Sequence, residues 1–258
     1  MWRRAAVSLR LPAAARAPRR LYSAAPDGGG GQQLGLDDAE LRARLVEAAL
    51  AEVPAHGWSV EALAAGASAC GLSPMAHGML PRGPVELVEH FSAVCDATLA
   101  QELQERASDL EGLRAHNRLL VAMQARLRLV APYAASWPQA LALRALPSNL
   151  PSSLRDAHSV SSLLLDACGE DARAPLLPGP VDHHAKLLSV GALYGAAELY
   201  LITDDSPDHA DTWAFLEREI EALRSVATNA SRLPDLSPAG LLVAALTSRK
   251  PSRRPREF

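Results

Sequence analysis

The stretch Lys186–Ile202, KLLSVGALYGAAELYLI, limits the folding options of this chain most tightly. At helical spacing, Leu187, Leu188, Val190, Leu193, Tyr194, Leu199, Leu201 and Ile202 leave almost no polar side. A helix that is apolar nearly all round has nothing to show to water, so it belongs buried at the centre of a bundle. Gly191, Ala192, Gly195, Ala196 and Ala197 run along the same helix. Small side chains there admit either close helix packing or room for a long thin ligand, and core packing is the default for any single position.

The rest of the chain agrees with a bundle. Alanine and leucine dominate, aromatics are only 4% of residues, and no stretch alternates as a half-buried strand does. The fold class is therefore all-α. Leu41, Leu45, Ala48, Ala49 and Val53 mark one helical face, broken at Gly57. Ser59 is the natural cap of a second helix through Ala69, with Val60, Leu63, Ala64 and Ala67 inward. A short third helix follows the Gly71–Pro74 turn, and further helices are expected over 84–104, 113–130, 136–146, 153–168, 182–203 and 207–229.

The first three helices read as a helix-turn-helix unit. In such a unit the third helix enters the major groove and carries the groups that read bases. Here it runs Ser73-Pro74-Met75-Ala76-His77-Gly78-Met79-Leu80-Pro81, with no Lys, Arg, Asn, Gln or Tyr. Base readout depends on those side chains, so the unit is degenerate and no nucleic-acid partner is expected. Arg82 is the one cation nearby.

Residues 1–25 hold six arginines (Arg3, Arg4, Arg10, Arg16, Arg19 and Arg20) and no acid. That is the composition of an organellar transit peptide, closer to a mitochondrial leader than to a chloroplast one with its more frequent serines and fewer arginines, and Arg20-Leu21-Tyr22-Ser23 resembles a mitochondrial processing site. The whole chain carries −3, so losing this leader leaves a body near −9. An acidic body lacks the cationic face that phosphate binding requires. Cys70, Cys95 and Cys168 are odd in number and show no metal spacing, as fits free thiols in a reducing compartment.

Catalytic motifs do not emerge. Asp204-Asp205-Ser206-Pro207-Asp208 is a carboxylate cluster, but Ser206 as helix cap, Pro207 at the first position and Asp208 at the positive end explain it better. His183 and His184 are adjacent, so on a helix they point about 100 degrees apart and chelate poorly. Neither a nucleophile elbow nor a phosphate loop is found. A chain without catalysis, cofactor or metal is the expectation.

Three segments then carry a resemblance: VPAHGW (53–58), LPSNLPSSL (146–154) and ALYGAAELYLITDDSPDHADTWAFLE (192–217). The chain resembles the mitochondrial ubiquinone-biosynthesis accessory family over 41 to about 247, with DSPDxxDTWxFL its most specific part. That family has a TetR-repressor-like helical bundle. The resemblance implies a lipid-binding accessory protein at the matrix side of the inner mitochondrial membrane. It would hold an isoprenoid lipid or ubiquinone precursor and present it to the di-iron demethoxyubiquinone hydroxylase of the ubiquinone biosynthetic complex. A lipid-free scaffold of that complex is the alternative, with a TetR-like organellar transcription regulator after it.

Met123, Leu127, Trp137, Leu141, Val190, Leu193, Tyr194 and Ala197 are the candidate lipid contacts around the apolar helix. Glu198 has three readings: an exposed flank, a buried partner for a cation, or a polar handle for a quinone head. In the family a Trp-Tyr pair before the buried helix meets the hydroxylase; here His183-His184 stand in its place, and Leu164 and Leu165 fall within the same patch. Ser237-Pro238 opens a C-terminal amphipathic helix whose Leu241, Leu242 and Leu246, followed by Arg249 and Lys250, suit membrane contact. It is far short of the roughly 20 apolar residues a span needs. The expected organisation is a leader over 1–25, a linker over 26–37 and a helix-turn-helix-like unit over 38–104. A lipid-binding unit over 105–232, the amphipathic helix over 233–248 and a basic tail over 249–258 complete it. By analogy of fold, a homodimer is expected.

Overall fold

The computed structural model describes residues 38–169, 176–177 and 181–230. All regular structure among them is helical, as expected. The α-helices are α1 (Asp38–His56), α2 (Val60–Ala69), α3 (Pro84–Glu105), α4 (Ala107–Glu111), α5 (Ala115–Val130), α6 (Trp137–Ala145), α7 (Leu150–Cys168), α8 (His183–Leu201) and α9 (Ala210–Ala230). Short 3₁₀ turns stand at Pro74–Met79, Ala131–Tyr133 and Pro207–His209. None of the described helices is long and apolar enough to cross a membrane. The leader, the glycine-rich linker and the C-terminal segment with Leu241, Leu242, Leu246, Arg249 and Lys250 lie outside the described residues. Two compact units divide between His90 and Phe91, inside α3.

In the first unit α1 buries Leu45, Val46, Ala49 and Val53. Gly57 ends the helix with a φ of +68°, a conformation that costs glycine little. Ser59 caps α2 by accepting from the Ala62 N–H at 3.3 Å, and Ala62, Leu63, Gly66 and Ala67 face inward. Val60, expected inside, is 42% exposed, because the close approach of α1 falls on the Gly66 face. A Cβ on Gly66 would lie 2.5–2.7 Å from Ala49 backbone and side-chain atoms, so only glycine lets the helices meet there. The expected third helix is the 3₁₀ turn Pro74–Met79, which buries no residue. Arg82 beside it is ion-paired with Glu89.

The second unit is built around α5, which packs against α7, α8 and α9. Leu119, Ala122, Met123, Leu127 and Val130 form its buried stripe. Helix α8 corrects an expectation, since it is not enclosed all round. Leu187, Val190, Tyr194, Ala197 and Leu201 are buried, while Leu188 and Leu199 are 68% and 57% exposed on the other side. Its side-chain pattern records a preference for burial; which side obtains a neighbour depends on where α5, α7 and α9 lie.

Two corners fix this unit. At the α6–α7 corner, Asn149 Nδ2 donates to the Leu143 carbonyl at 2.9 Å, and Ser153 Oγ donates to the Arg144 carbonyl at 2.9 Å. Before α9, Asp204 accepts from the backbone of Ser206 and of Thr212, each at 2.8 Å, and from the Thr212 hydroxyl. Asp204 is thus the main cap, while Ser206 Oγ accepts from Asp211 N–H at 3.0 Å. Pro207 begins the 3₁₀ turn, not α9 itself, and Asp208 takes a φ of +53°. Trp213 Nε1 donates to the Asp208 carbonyl at 2.8 Å, and Phe215 stacks on Tyr200 with centroids 4.6 Å apart. The carboxylates of this segment therefore organise a helix start.

Candidate functional site

A polar pocket of about 110 Å³ lies within the second unit, lined from α3, α5, α6, α7 and α8. Helix periodicity brings its groups together. Arg126 falls on the buried stripe of α5, three residues after Met123, and Glu198 lies one turn after Tyr194 on the buried side of α8. The α6–α7 corner sets Arg144 and Asp156 on their respective helices, and both line the pocket.

Arg126 is the principal group. Only 4% of it is exposed, and its Nε donates to Asp96 Oδ1 at 2.9 Å. Its guanidinium also stands 5.9 Å from the Tyr194 ring centroid. Nη1 is buried with no hydrogen-bond partner among the described residues. Burial pulls the Arg126 pKa down, but Tyr194, Cys95 and Asp96 outweigh it and the net direction is up. The guanidinium is charged at every relevant pH.

Glu198 is 8% exposed. Burial raises its pKa; Arg144 and Arg126 oppose that rise, with the Trp137 indole and Tyr194 hydroxyl also turned toward the carboxyl. The structure buries Glu198, which removes the exposed-flank reading. Burial likewise raises the Tyr194 pKa and pushes the Cys95 thiol up to about 11, which leaves it protonated and unreactive.

The pocket floor is unequal along α8. A Cβ on Gly191 would meet Ser161 Oγ at 2.5 Å, whereas one on Gly195 would meet no heavy atom within 4 Å. The helix is clamped against α7 at the first glycine and opens at the second.

Of the expected lipid contacts, Leu141 and Tyr194 line this pocket. Met123, Leu127, Trp137, Val190 and Ala197 are fully buried in side-chain packing, and Leu193 is half-buried. Among the expected partner contacts, His183 and His184 are exposed in the first turn of α8 and Leu165 is half-buried. Leu164 is wholly buried, so its place in a docking patch is corrected: it has no surface to offer. Sequence reasoning overlooked Asp96, Arg126, Arg144 and Asp156. The signal for Arg126 was present, as a charge spaced in register with the α5 core.

Fold and pocket define an all-helical bundle enclosing a charge-lined cavity. The model of the COQ9 family matches residues 150–227, and that of the N-terminal domain of ubiquinone biosynthesis protein COQ9 matches residues 38–68. The chain is 33% identical over 216 residues to the mitochondrial ubiquinone biosynthesis protein COQ9 of Homo sapiens, covering 81% of this chain and 66% of that protein. For the Bos taurus protein of the same name the identity is 32% over 245 residues, covering 92% and 74%. Identity to the mitochondrial COQ9-B protein of Xenopus laevis is 34% over 217 residues, covering 81% and 72%. The chain belongs to the COQ9 family of ubiquinone biosynthesis proteins. It spans just under two thirds of the human relative, at 66%.

Proposed function

We propose that this chain is a mitochondrial lipid-binding accessory protein of ubiquinone biosynthesis. It takes up an isoprenoid quinone precursor at the matrix side of the inner membrane and presents it to the di-iron demethoxyubiquinone hydroxylase. The observation that carries the reading is the partly open, charge-lined pocket beneath α8 in a chain of this family. The exposed His183-His184 turn is the part of the expected hydroxylase patch that remains available, and the exposed Leu188–Leu199 side of α8 suits a second copy in a homodimer. Leu241, Leu242 and Leu246 with Arg249 and Lys250 supply the membrane contact in this reading.

A second reading has its own support. Met123, Leu127, Val190 and Ala197 are fully buried, as they would be in a lipid-free scaffold whose apolar helices are core alone. Native mass spectrometry of residues 26–258, combined with organic extraction, separates the two. Stoichiometric isoprenoid quinone supports the carrier. Lipid-free protein that still binds the hydroxylase selects the scaffold.

A further inference from the structure

We infer that the α6–α7 corner is a membrane-contact surface in its own right, an apolar prong seated in the headgroup layer of an anionic bilayer. It is separate from the C-terminal contact proposed above and does not depend on lipid being carried inside the bundle.

The side chains of this corner are inverted relative to an ordinary surface turn. Asn149 Nδ2 and Ser153 Oγ donate inward to the Leu143 and Arg144 carbonyls, and Ser152 Oγ donates to the Asn149 carbonyl at 2.8 Å. The Ser148 hydroxyl is turned to Asn149 Oδ1 at 3.5 Å. Leu146, Pro147, Leu150, Pro151 and Leu154 are left facing outward. The three leucines are 47%, 45% and 68% exposed. Leu150 and Leu154 lie one turn apart on α7, and the Leu150 N–H bonds the Leu146 carbonyl at 3.1 Å, which ties Leu146 to the same tip. Clustered apolar side chains of this size on a surface mark a place of contact.

The backbone is prepared for such a contact as well. Entry into a headgroup layer penalises main-chain groups that lose water without another partner. Pro147 and Pro151 bring no N–H. The N–H groups of Asn149 and Leu150 both bond the Leu146 carbonyl, and the Ser153 N–H bonds the Asn149 carbonyl at 2.9 Å. Little of the turn is left to desolvate.

Charge decides what the tip meets. Over 138–159 the only acid is Asp156, which is half-buried and lines the inner pocket. Arg155 and His158 are exposed on the outer side of α7. Arg155 makes no ion pair among the described residues, and its Nε donates to the Pro151 carbonyl at 3.4 Å. An anionic lipid surface attracts basic side chains and repels the acidic remainder of this chain, so it turns this tip inward. Leucines then enter the layer while the guanidinium stays among the headgroups.

The test is flotation of residues 26–258 with vesicles of phosphatidylcholine mixed with phosphatidylglycerol, set against phosphatidylcholine alone. Replacing both corner leucines, Leu150→Gln with Leu154→Gln, adds no charge and keeps a good helix former, so the thermal melt should hold. Binding to the mixed vesicles is expected to weaken by about tenfold. Arg155→Gln is expected to weaken binding to the mixed vesicles and leave that to phosphatidylcholine unchanged. Leu154→Trp gives a second reading: bromine-labelled lipid should quench its emission, and an unquenched Trp at that position overturns the proposal. A corner variant that floats like the parent, while Leu241→Gln with Leu246→Gln abolishes flotation, removes the corner and keeps the C-terminal contact. The converse pattern keeps the corner and removes the C-terminal contact. A corner variant that floats normally but no longer binds the hydroxylase makes this tip a protein-docking surface, and the proposal falls.

Discussion

Glu198 is buried beside Arg126 and Arg144 with its pKa raised. Between the ordinary glutamate range and the raised folded value, the folded state holds a proton that the unfolded chain has released. Stability from this group is complete below the ordinary glutamate range and declines as pH rises through the elevated folded value. Glu198→Gln keeps the shape and removes the titration, so its melting temperature should gain on the parent's as pH increases. Parallel curves from acid to alkaline pH would contradict the burial argument. Asp204 behaves in the opposite sense. Burial is the largest single influence and pushes its pKa up, but the hydrogen bonds from Ser206 and Thr212 together outweigh it and hold the carboxyl at about 2. Its contribution is present above the ordinary aspartate value of 3.8 and lost as pH falls toward about 2. Asp204→Ala should cost about 0.5–2 kcal/mol in urea unfolding at neutral pH, a loss typical of a helix cap, and the deficit should shrink in acid.

At the scale of elements, two glycines in helices make opposite predictions. Gly66 sits where α2 meets the backbone of α1, and Gly66→Ala places a methyl within 2.7 Å of Ala49. Overpacking of that kind costs about 1–3 kcal/mol. Gly195 faces open space on α8, so Gly195→Ala should instead stabilise by about 0.5–1 kcal/mol through helix propensity. Chemical denaturation of both variants checks the pair; a common sign would mean that helix packing at one of the two positions differs from that described.

At the scale of the molecule, the uncovered side of α8 raises the question of assembly. Leu188 and Leu199 are large, apolar and mostly exposed. Under the proposed homodimer, replacing both with glutamate leaves the thermal melt of the separate chain unchanged while shifting sedimentation from dimer to monomer. Exposed leucines that do no such work would leave the sedimentation coefficient unaltered.

Much of the fold is legible in the sequence. The approximate bounds of the longer helices follow from apolar spacing, because a 3.6-residue period is a local property; the short α4 is not among the expected helices, and the expected third helix is a 3₁₀ turn. Ser59 as a cap and Gly57 as a break are equally local, since a cap bonds within three residues. The missing base-reading groups between Ser73 and Pro81 need only composition. Asp204 is harder: its bond to Thr212 spans eight residues across a turn with positive φ, so Ser206 is the nearer candidate.

What only the tertiary structure decided is which helix faces meet. Apolar preference is the same on both sides of α8, yet one side is sealed by α5, α7 and α9 and the other is not. Arg126 and Asp96 are 30 residues apart in sequence and 2.9 Å apart in space. No local pattern encodes that distance, so the pocket, unlike the helices that line it, exists only once the chain has packed.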